Sequence, residues 1–327
     1  MKLAVIGCGL VGRKRALACG DHSVAWVADR DPRRADGLAG CLPGARATSD
    51  WRQVLDDPSV EAVIVATPHH LLAPITLAAL EADKHVLVEK PGARSSAELE
   101  PVLRKAQASG RVVKVGFNHR FHPAVARAKR IVDSGAAGRL MFVRGLYGHG
   151  GRIGYEKEWR ADPDLAGGGE AIDQGIHLVD LARWILGDFV DAVGYAPTLF
   201  WNMPVEDNCF MLLQTESGAC AFLHASWTEW KNMFCFEIYG RRAKLRIDGL
   251  GGSYGIERLT HYRMLPGMGP PETEVFEYPG PDESWRREIE SFVKAIAGDG
   301  NICGGLSDAL AALRIVERIR KSRNRLG

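Results

Sequence analysis

Three groups of residues in this chain have types and spacings suited to chemistry. Asp173 and His177 stand in Glu170-Ala171-Ile172-Asp173-Gln174-Gly175-Ile176-His177-Leu178-Val179-Asp180, directly after Gly167-Gly168-Gly169. On a helix, positions i and i+4 share a face and lie about 6 Å apart along the axis. Asp180, at i+3 from His177, is also its neighbour. Histidine titrates near neutrality, so His177 suits proton transfer. The glycine run lets a ligand approach the backbone closely. Lys90, in Glu89-Lys90-Pro91, follows the apolar run His85-Val86-Leu87-Val88. The carboxyl end of a parallel strand is where open α/β sheets bind ligands. A lysine there can stabilise negative charge on a substrate oxygen.

The third group is Gly7-Cys8-Gly9-Leu10-Val11-Gly12, a G-x-G-x-x-G stretch between an apolar run and a helical pattern. The glycines allow a tight turn, close backbone approach to a pyrophosphate, and close packing of helix on strand. The helix N-terminus then faces the negative charge. Asp29 ends the second apolar run, where a carboxylate accepts hydrogen bonds from a ribose 2′-hydroxyl. It would repel a 2′-phosphate, which favours NAD. Arg30, Arg33 and Arg34 lie just beyond and partly offset that repulsion, so NADP remains the second option. Cys8 reads as a small filler of the turn.

Other residues join these as candidates. Asn118 and Arg120 follow the last strand of the first half and are placed to meet nicotinamide or substrate. Trp159 and Arg160 precede the glycine run, and Arg160 suits a substrate hydroxyl or acidic group, or a structural ion pair. Tyr147, His149 and Tyr155 flank a glycine-rich loop and are candidates to line the pocket. Trp227 and Trp230 read as sheet or interface aromatics.

Positioning these groups requires two kinds of architecture. Through residue 120, short apolar runs at Lys2–Ile6, Val24–Ala28, Ala62–Ala66, His85–Val88 and Val112–Val115 alternate with helical patterns such as Ile75–Ala82 and Ala97–Ser109. Continuous apolar strands separated by helices predict a parallel sheet covered on both faces. After residue 121 the rhythm changes. A helix at His122–Asp133, an extended segment at Leu140–Tyr147 and a helix at Ala171–Leu186 precede five β-rich runs: Ala192–Trp201, Cys209–Thr215, Ala219–Trp227, Phe234–Tyr239 and Ala243–Ile247. Their short connections predict a mostly antiparallel sheet. Cys209–Leu213 is apolar throughout, which predicts that helices cover one sheet face and another subunit the other. Residues 249–281, rich in Gly and Pro, read as a mobile excursion. Helices at Trp285–Ala297 and Leu306–Arg323 close the pattern. The expected class is therefore α/β, a dinucleotide-binding domain over residues 1–120 and a substrate and oligomerisation domain over 121–327. The last helix is a candidate to pack back on the first domain.

Composition restricts the function classes. The chain has 327 residues, 46% apolar and 25% charged, with a net charge of +2, so nothing suggests a nucleic-acid footprint. Basic residues at 313–325 (Arg314, Arg318, Arg320, Lys321, Arg323, Arg325) read as a solvated helix face. Seven scattered cysteines, with no Cys-x-x-Cys pair, fit free thiols in a reducing cytoplasm and offer no zinc spacing. Neither a signal peptide nor an apolar run long enough for a bilayer is read, so no membrane role and no metal are expected.

Taken in order and spacing, Gly7–Gly12, Thr67-Pro68, Glu89-Lys90-Pro91, Gly116-Phe117-Asn118-His119-Arg120-Phe121 and Gly167–Asp180 resemble the glucose–fructose oxidoreductase/inositol dehydrogenase/MocA family. The resemblance implies a Rossmann domain followed by an α/β domain with a large, mostly antiparallel sheet. It implies NAD(P)-dependent oxidation or reduction of a hydroxyl or carbonyl carbon on a sugar, cyclitol or nucleotide-sugar. By position, Lys90, Asp173 and His177 match the family's catalytic set. The candidate cofactor residues are Gly7, Gly9, Leu10, Val11, Gly12, Asp29, Arg30, Thr67, Pro68, His70, Glu89, Lys90 and Asn118. The candidate substrate residues are Lys90, Arg120, Tyr147, Trp159, Arg160, Asp173 and His177. Two departures stand out. Many relatives read T-P-N-x-x-H where this chain has Thr67-Pro68-His69-His70-Leu71-Leu72, and His119 stands where an arginine is common. His177 would take the hydroxyl proton, Lys90 would stabilise the alkoxide, and Asp173 would orient the hydroxyl and its neighbours. Lys90 as the proton donor, with His177 as the orienter, is the alternative arrangement. A redox-elimination glycosidase and a non-catalytic NAD-binding regulator are the competing functions. The expected assembly is a homodimer or homotetramer through the antiparallel sheet, with a small carbohydrate-like substrate.

Overall fold

A computed structural model describes residues 1–322, which divide into two compact units. The first comprises Met1–Asn118, Asp164–Gly167 and Trp285–Ala311; the second comprises His119–Pro163 and Gly168–Ser284 and continues from Ala312.

In the first unit, strands β1 (Lys2–Ile6), β2 (Ser23–Ala28), β3 (Arg46–Thr48), β4 (Ala62–Val65), β5 (His85–Val88) and β6 (Val113–Val115) alternate with helices α1 (Leu10–Leu17), α2 (Pro32–Ala39), α3 (Arg52–Asp56), α4 (His69–Glu81) and α5 (Ser96–Ser109). The sheet order is β3-β2-β1-β4-β5-β6, and every pair is parallel. This is the doubly wound order, whose reversal between β1 and β4 opens a crevice at the strands' carboxyl ends. All four residues of β4 have no exposed surface, as expected for a strand covered on both faces. Helix α4 begins at His69, directly after Pro68 and earlier than its apolar periodicity indicates. Helix α5 starts where Ser95 accepts from the Glu98 amide and stops at Gly110, whose φ of 65° suits glycine.

The second unit contains helix α6 (Pro123–Asp133) and strand β7 (Leu140–Gly148), which precede the short helix α7 (Pro163–Ala166), itself shared between the units. A π-helical turn over Ala171–Gly175 then runs directly into helix α8 (Ile176–Leu186). Strands β8 (Phe189–Tyr195), β9 (Asn208–Thr215), β10 (Cys220–Ser226), β11 (Met233–Gly240), β12 (Ala243–Asp248), β13 (Glu257–Arg263) and β14 (Glu272–Tyr278) complete a sheet ordered β14-β13-β12-β11-β7-β10-β9-β8. Only β7 and β10 pair in parallel. Helix α8 lies on this sheet with Ile176, Leu178, Val179 and Leu181 buried, each contributing about 1.5–3 kcal/mol. Gly145 lets it approach: a Cβ there would stand 3.0–3.1 Å from Leu223, Leu178 and Phe236. Helices α9 (Ser284–Ile296) and α10 (Leu306–Ser322) close the described chain.

Several expectations are corrected. The segment 249–281 is not an excursion, because it supplies β13 and β14, paired in register from Glu257–Tyr278 to Arg263–Glu272. Its glycines make a compact loop before β13, with positive φ at Gly249, Gly251, Gly252 and Gly255. The strand expected to reach Trp201 ends at Tyr195. Beyond it, the Asp207 carboxylate accepts from the amides of Leu199, Phe200 and Trp201 at 2.8–2.9 Å and draws the chain into a turn. Strand β9 does alternate in burial: Cys209, Met211 and Leu213 are buried while Leu212 is half exposed. The basic face of α10 is not wholly solvated, since Arg320 pairs with buried Glu206 at 3.5 Å. Arg323 and Arg325 lie outside the described residues.

Candidate active site

In the first unit, the glycine loop joins β1 to α1. Gly7 has φ of 98°, and a Cβ there would stand 2.4 Å from the Ala66 carbonyl oxygen. A Cβ on Gly12 would stand 1.7 Å from the Gly7 carbonyl oxygen, so α1 can approach only as glycine. Gly9 faces open space. No acidic residue occupies the first turn of α1, and no side chain caps its N-terminus. Its amides are therefore available to an anion. Leu10 is largely exposed and Val11 partly so. The Asp29 carboxylate stands at the end of β2, accepting from the Cys8 amide at 2.8 Å and the Asp31 amide at 3.0 Å. Those bonds fix it beside the loop. Arg30 is exposed, and Arg33 and Arg34 pair with Asp31, at 3.1 and 3.9 Å. Burial, then Asp29, pushes the Cys8 thiol up to about 12, which makes it an inert filler.

Thr67 and Pro68 lead from β4 into α4, and His70 lies in the first turn of that helix. Thr67 Oγ1 and His70 Nδ1 are buried atoms without a hydrogen-bond partner in the described chain. Buried polar atoms in that state suit a ligand group. His69 instead turns inward, its Nδ1 2.8 Å from the Ala166 carbonyl oxygen. This open cradle, with its amides, orphan atoms and carboxylate, fits an adenine dinucleotide.

Glu89 and Lys90 follow β5, and the Lys90–Pro91 peptide is cis. Glu89 is buried and accepts from Arg15 Nε of α1 at 2.6 Å. Arg15, fully buried, also pairs with Glu288 of α9. Burial opposes its charge, but Glu288 and Glu89 outweigh that and raise its pKa. Gly116 makes room, since a Cβ there would stand 2.6 Å from the Arg15 guanidinium. Glu89 thus anchors α1 to the end of the strand that carries half-buried Lys90. Asn118 is buried at the end of the unit.

In the second unit, the glycine run leads into the π turn. The Gly169 amide donates to Glu206 Oε1 at 3.1 Å, and the Glu170 amide donates to the Glu206 carbonyl at 2.9 Å. A Cβ on Gly169 would stand 2.0 Å from that carbonyl oxygen, and one on Gly168 would stand 2.7 Å from Arg320. Glu206 and Arg320 therefore clamp the start of the turn. Asp173 and His177 are both buried. The segment that holds them is a π turn continuing into α8, not one uninterrupted α-helix. Such turns concentrate at functional positions.

Asp173 Oδ2 accepts from Arg160 Nε at 3.1 Å. Burial opposes the Arg160 charge, while Asp173, Tyr155 and Glu158 raise its pKa. Its guanidinium also lies over Trp159, 4.6 Å from the ring centroid. The ion pair is the alternative weighed for Arg160 from sequence. Arg120, expected at the substrate, is buried and holds Asp180 through two bonds of 2.8 and 2.6 Å. It thereby fixes α8, because Asp180 sits on that helix beyond His177.

The His177 ring lies 3.9 Å from that of His119, tilted 32°, and 6.2 Å edge-on from Tyr147. Burial drives the Tyr147 pKa well above its ordinary value; Tyr254, Asp173 and Glu170 add to this. Its hydroxyl is hydrogen-bonded to Tyr254, which also accepts from Gln174 Nε2 at 3.1 Å. Burial, followed by Asp173, raises the Tyr155 pKa in the same direction. Tyr155 packs edge-on to Trp227 at 5.1 Å and to His149 at 5.6 Å. Trp230 is largely exposed. The cluster therefore gathers Asp173, His177, Tyr147, Tyr155 and Arg160. Sequence reading omitted Gln174, Tyr254 and Glu206. Tyr254 carried one usable signal, a lone aromatic among closely spaced glycines; Glu206 carried none. Among the described residues, no group of three or more potential ligands could hold a metal ion, and no helix is long and apolar enough to cross a membrane.

Comparison with known proteins finds matches over both halves of the chain. Residues 1–117 match a family described as an oxidoreductase family with an NAD-binding Rossmann fold, and residues 125–246 match the GFO/IDH/MocA C-terminal domain. Inositol 2-dehydrogenase 2 of Saccharopolyspora erythraea is 31% identical over 330 residues, covering 97% of this chain and 91% of its own. Levoglucosan dehydrogenase of Pseudarthrobacter phenanthrenivorans is 27% identical over 381 residues, covering 98% and 96%. A solved levoglucosan dehydrogenase in complex with NADH and levoglucosan superposes with a TM-score of 0.91 at 26% identity, over 99% of this chain and 97% of that one.

Proposed function

The chain belongs to the glucose–fructose oxidoreductase/inositol dehydrogenase/MocA family of NAD-binding oxidoreductases, and from that premise we propose that it moves a hydride between nicotinamide and a ring CH–OH carbon of a sugar or cyclitol. The observation that carries the proposal is the cluster of buried Asp173 and His177 with partly buried Arg160, Tyr147 and Tyr254 in the unit that lacks the glycine loop. Bound NAD supplies the hydride acceptor. Gly7, Gly9, Gly12 and the first amides of α1 would hold its pyrophosphate, and Asp29 its ribose. Thr67, Pro68 and His70 would border it.

An alcohol keeps its proton too tightly at neutral pH to lose it unaided. His177 takes that proton during oxidation and returns it during reduction. Such a group contributes roughly 10²- to 10⁴-fold. Lys90 stabilises the developing alkoxide. Asp173, held by Arg160, accepts from a substrate hydroxyl and fixes its orientation. Tyr147, Tyr254 and Gln174 offer further hydroxyl and amide groups to a polyol. Many hydroxyls on a compact ring need alternating donors and acceptors beside aromatic faces.

The second unit is assigned the substrate and, through its sheet, self-association. Val193, Leu212 and Phe222 are adjacent on β8, β9 and β10, and each is about half exposed. That apolar stripe suits a second copy of the chain in a homodimer or homotetramer. The free state of all seven cysteines fits the cytoplasm.

The test is a screen of cyclitols, free sugars and nucleotide-sugars for NADH formation, with His177→Ala and Lys90→Ala beside the wild type. Both variants should bind NADH and lose most turnover; near wild-type rates in both would defeat the assignment. Glycoside cleavage without net NADH would replace it with redox elimination.

A further inference from the structure

Once His177 holds a proton, its ring carries a positive charge in a place water hardly reaches, since the residue is only 5% exposed. His119, 4% exposed, lies against that ring in a tilted stack, with centroids 3.9 Å apart and planes inclined by 32°. We propose that His119 is a positioning residue for the reaction, whose neutral imidazole face steadies the protonated His177 ring and fixes its orientation. This deepens the dehydrogenase reading above and rests on it for His177's role.

The chemistry follows from the stack. An aromatic face attracts a cation, and most strongly where water is excluded. Two imidazolium rings at this separation would repel, so the pair holds one proton and His119 stays neutral while His177 is charged. His119 is itself confined: Tyr147 meets its edge at 5.0 Å, Phe234 at 5.7 Å and His122 at 5.7 Å. The titratable and charged groups around the pair come from every packed element. Tyr147 stands on β7, and Tyr254 on the loop before β13 is bonded to it. Asp173 and Glu170 belong to the π turn and its start, and Asp180 lies on α8, paired with Arg120. His122 precedes α6 with Nδ1 2.9 Å from Glu257 and Nε2 3.9 Å from Asp282. His119 approaches the His177 ring in a tilted stack at 3.9 Å, whereas Tyr147 meets that ring edge-on at 6.2 Å.

The test compares His119→Leu, which removes the aromatic face, with His119→Phe, which keeps it. Histidine-ring NMR titration of the full chain reads the His177 pKa directly. In the leucine variant it should fall by about 0.4–1.5 pH units, and in the phenylalanine variant it should stay near wild type. The acid limb of kcat/KM for oxidation should move to lower pH with it, and NADH binding should not change. A His177 titration unmoved by His119→Leu, or moved equally by His119→Phe, overturns the proposal. The two readouts separate the ideas: a shifted titration without any polyol oxidation keeps the stack and removes the dehydrogenase reading. If the leucine variant fails to fold, His119→Met supplies the non-aromatic comparison in its place: the same fall in the His177 pKa is expected, and an unmoved titration overturns the proposal.

Discussion

Replacing Arg120 by methionine should destabilise the second unit more than any substitution on its surface. The guanidinium makes two bonds to Asp180, at 2.8 and 2.6 Å, and the two side chains are 3% and 2% exposed. Charge-assisted bonds contribute about 1.5–3 kcal/mol each, but the larger effect is the carboxylate left behind without its countercharge. Removing one partner of such a buried pair costs about 3–5 kcal/mol. At roughly 2–4 °C per kcal/mol for a unit of this size, Tm should fall by about 6–20 °C. The companion variant Arg120→Met/Asp180→Leu removes both charges and should recover most of that loss, since apolar replacement of a buried pair is often near neutral. Circular dichroism melts of the wild type, both single variants and the double variant complete the cycle. A fall below about 2 °C for Arg120→Met, or a double variant no more stable than the single, would refute the assignment of Arg120 to the fold of α8.

Three further outcomes are expected. Asp29→Ala should relax the preference for NAD over NADP, because the carboxylate beside the glycine loop disappears; an unchanged ratio of kcat/KM values would count against Asp29 as the ribose ligand. Leu212→Asp places a charge in the middle of the Val193–Leu212–Phe222 stripe and should shift light-scattering mass toward the single chain; an unchanged mass would move the interface elsewhere. Burial lowers the His224 pKa below its ordinary 6.5, and its Nε2 lies 3.0 Å from Asn208 Oδ1. Below about pH 6.5 the unfolded chain therefore gains a proton that the folded chain resists, so stability falls as pH drops and is untouched above that range. His224→Gln should flatten the decline of Tm between pH 6.5 and 5.5. Burial also lowers the pKa of His85 and His261, so part of the slope should remain.

The parallel sheet was legible because its strands are buried on both faces and so read as unbroken apolar runs between helices. The glycine loop was legible for a steric reason: Gly7 and Gly12 stand where any Cβ would strike backbone. Where one face stays open the text was less clear. The apolar run Cys209–Leu213 concealed an alternation in burial, because residues on the outer sheet face are apolar too. Strands β13 and β14 were masked by the glycines and prolines of the turns around them. In the site, spacing gave Asp173 and His177 but not the π turn, since an i→i+5 turn has no composition of its own. Long-range partners were invisible for a related reason. Tyr254 reaches Gln174 across 80 residues and Glu206 reaches Gly169 across 37, and only the folded chain brings them together. Arg160 and Arg120 were legible as charges, but not as charges already committed to Asp173 and Asp180.

The π turn at Ala171–Gly175 bears on how this segment tolerates insertion and deletion. A π turn holds one residue more than the α-helical path it replaces. Removing a single residue there, Gln174 for example, would let the segment close as ordinary α-helix. The chain on either side would keep nearly its present orientation, because the α-helical path is the one the extra residue was added to. Only the turn's own residues would shift, Asp173 among them. Loss of one codon there would therefore act on the Arg160–Asp173 pair, while α8 and the His177 ring it carries would keep their place against His119.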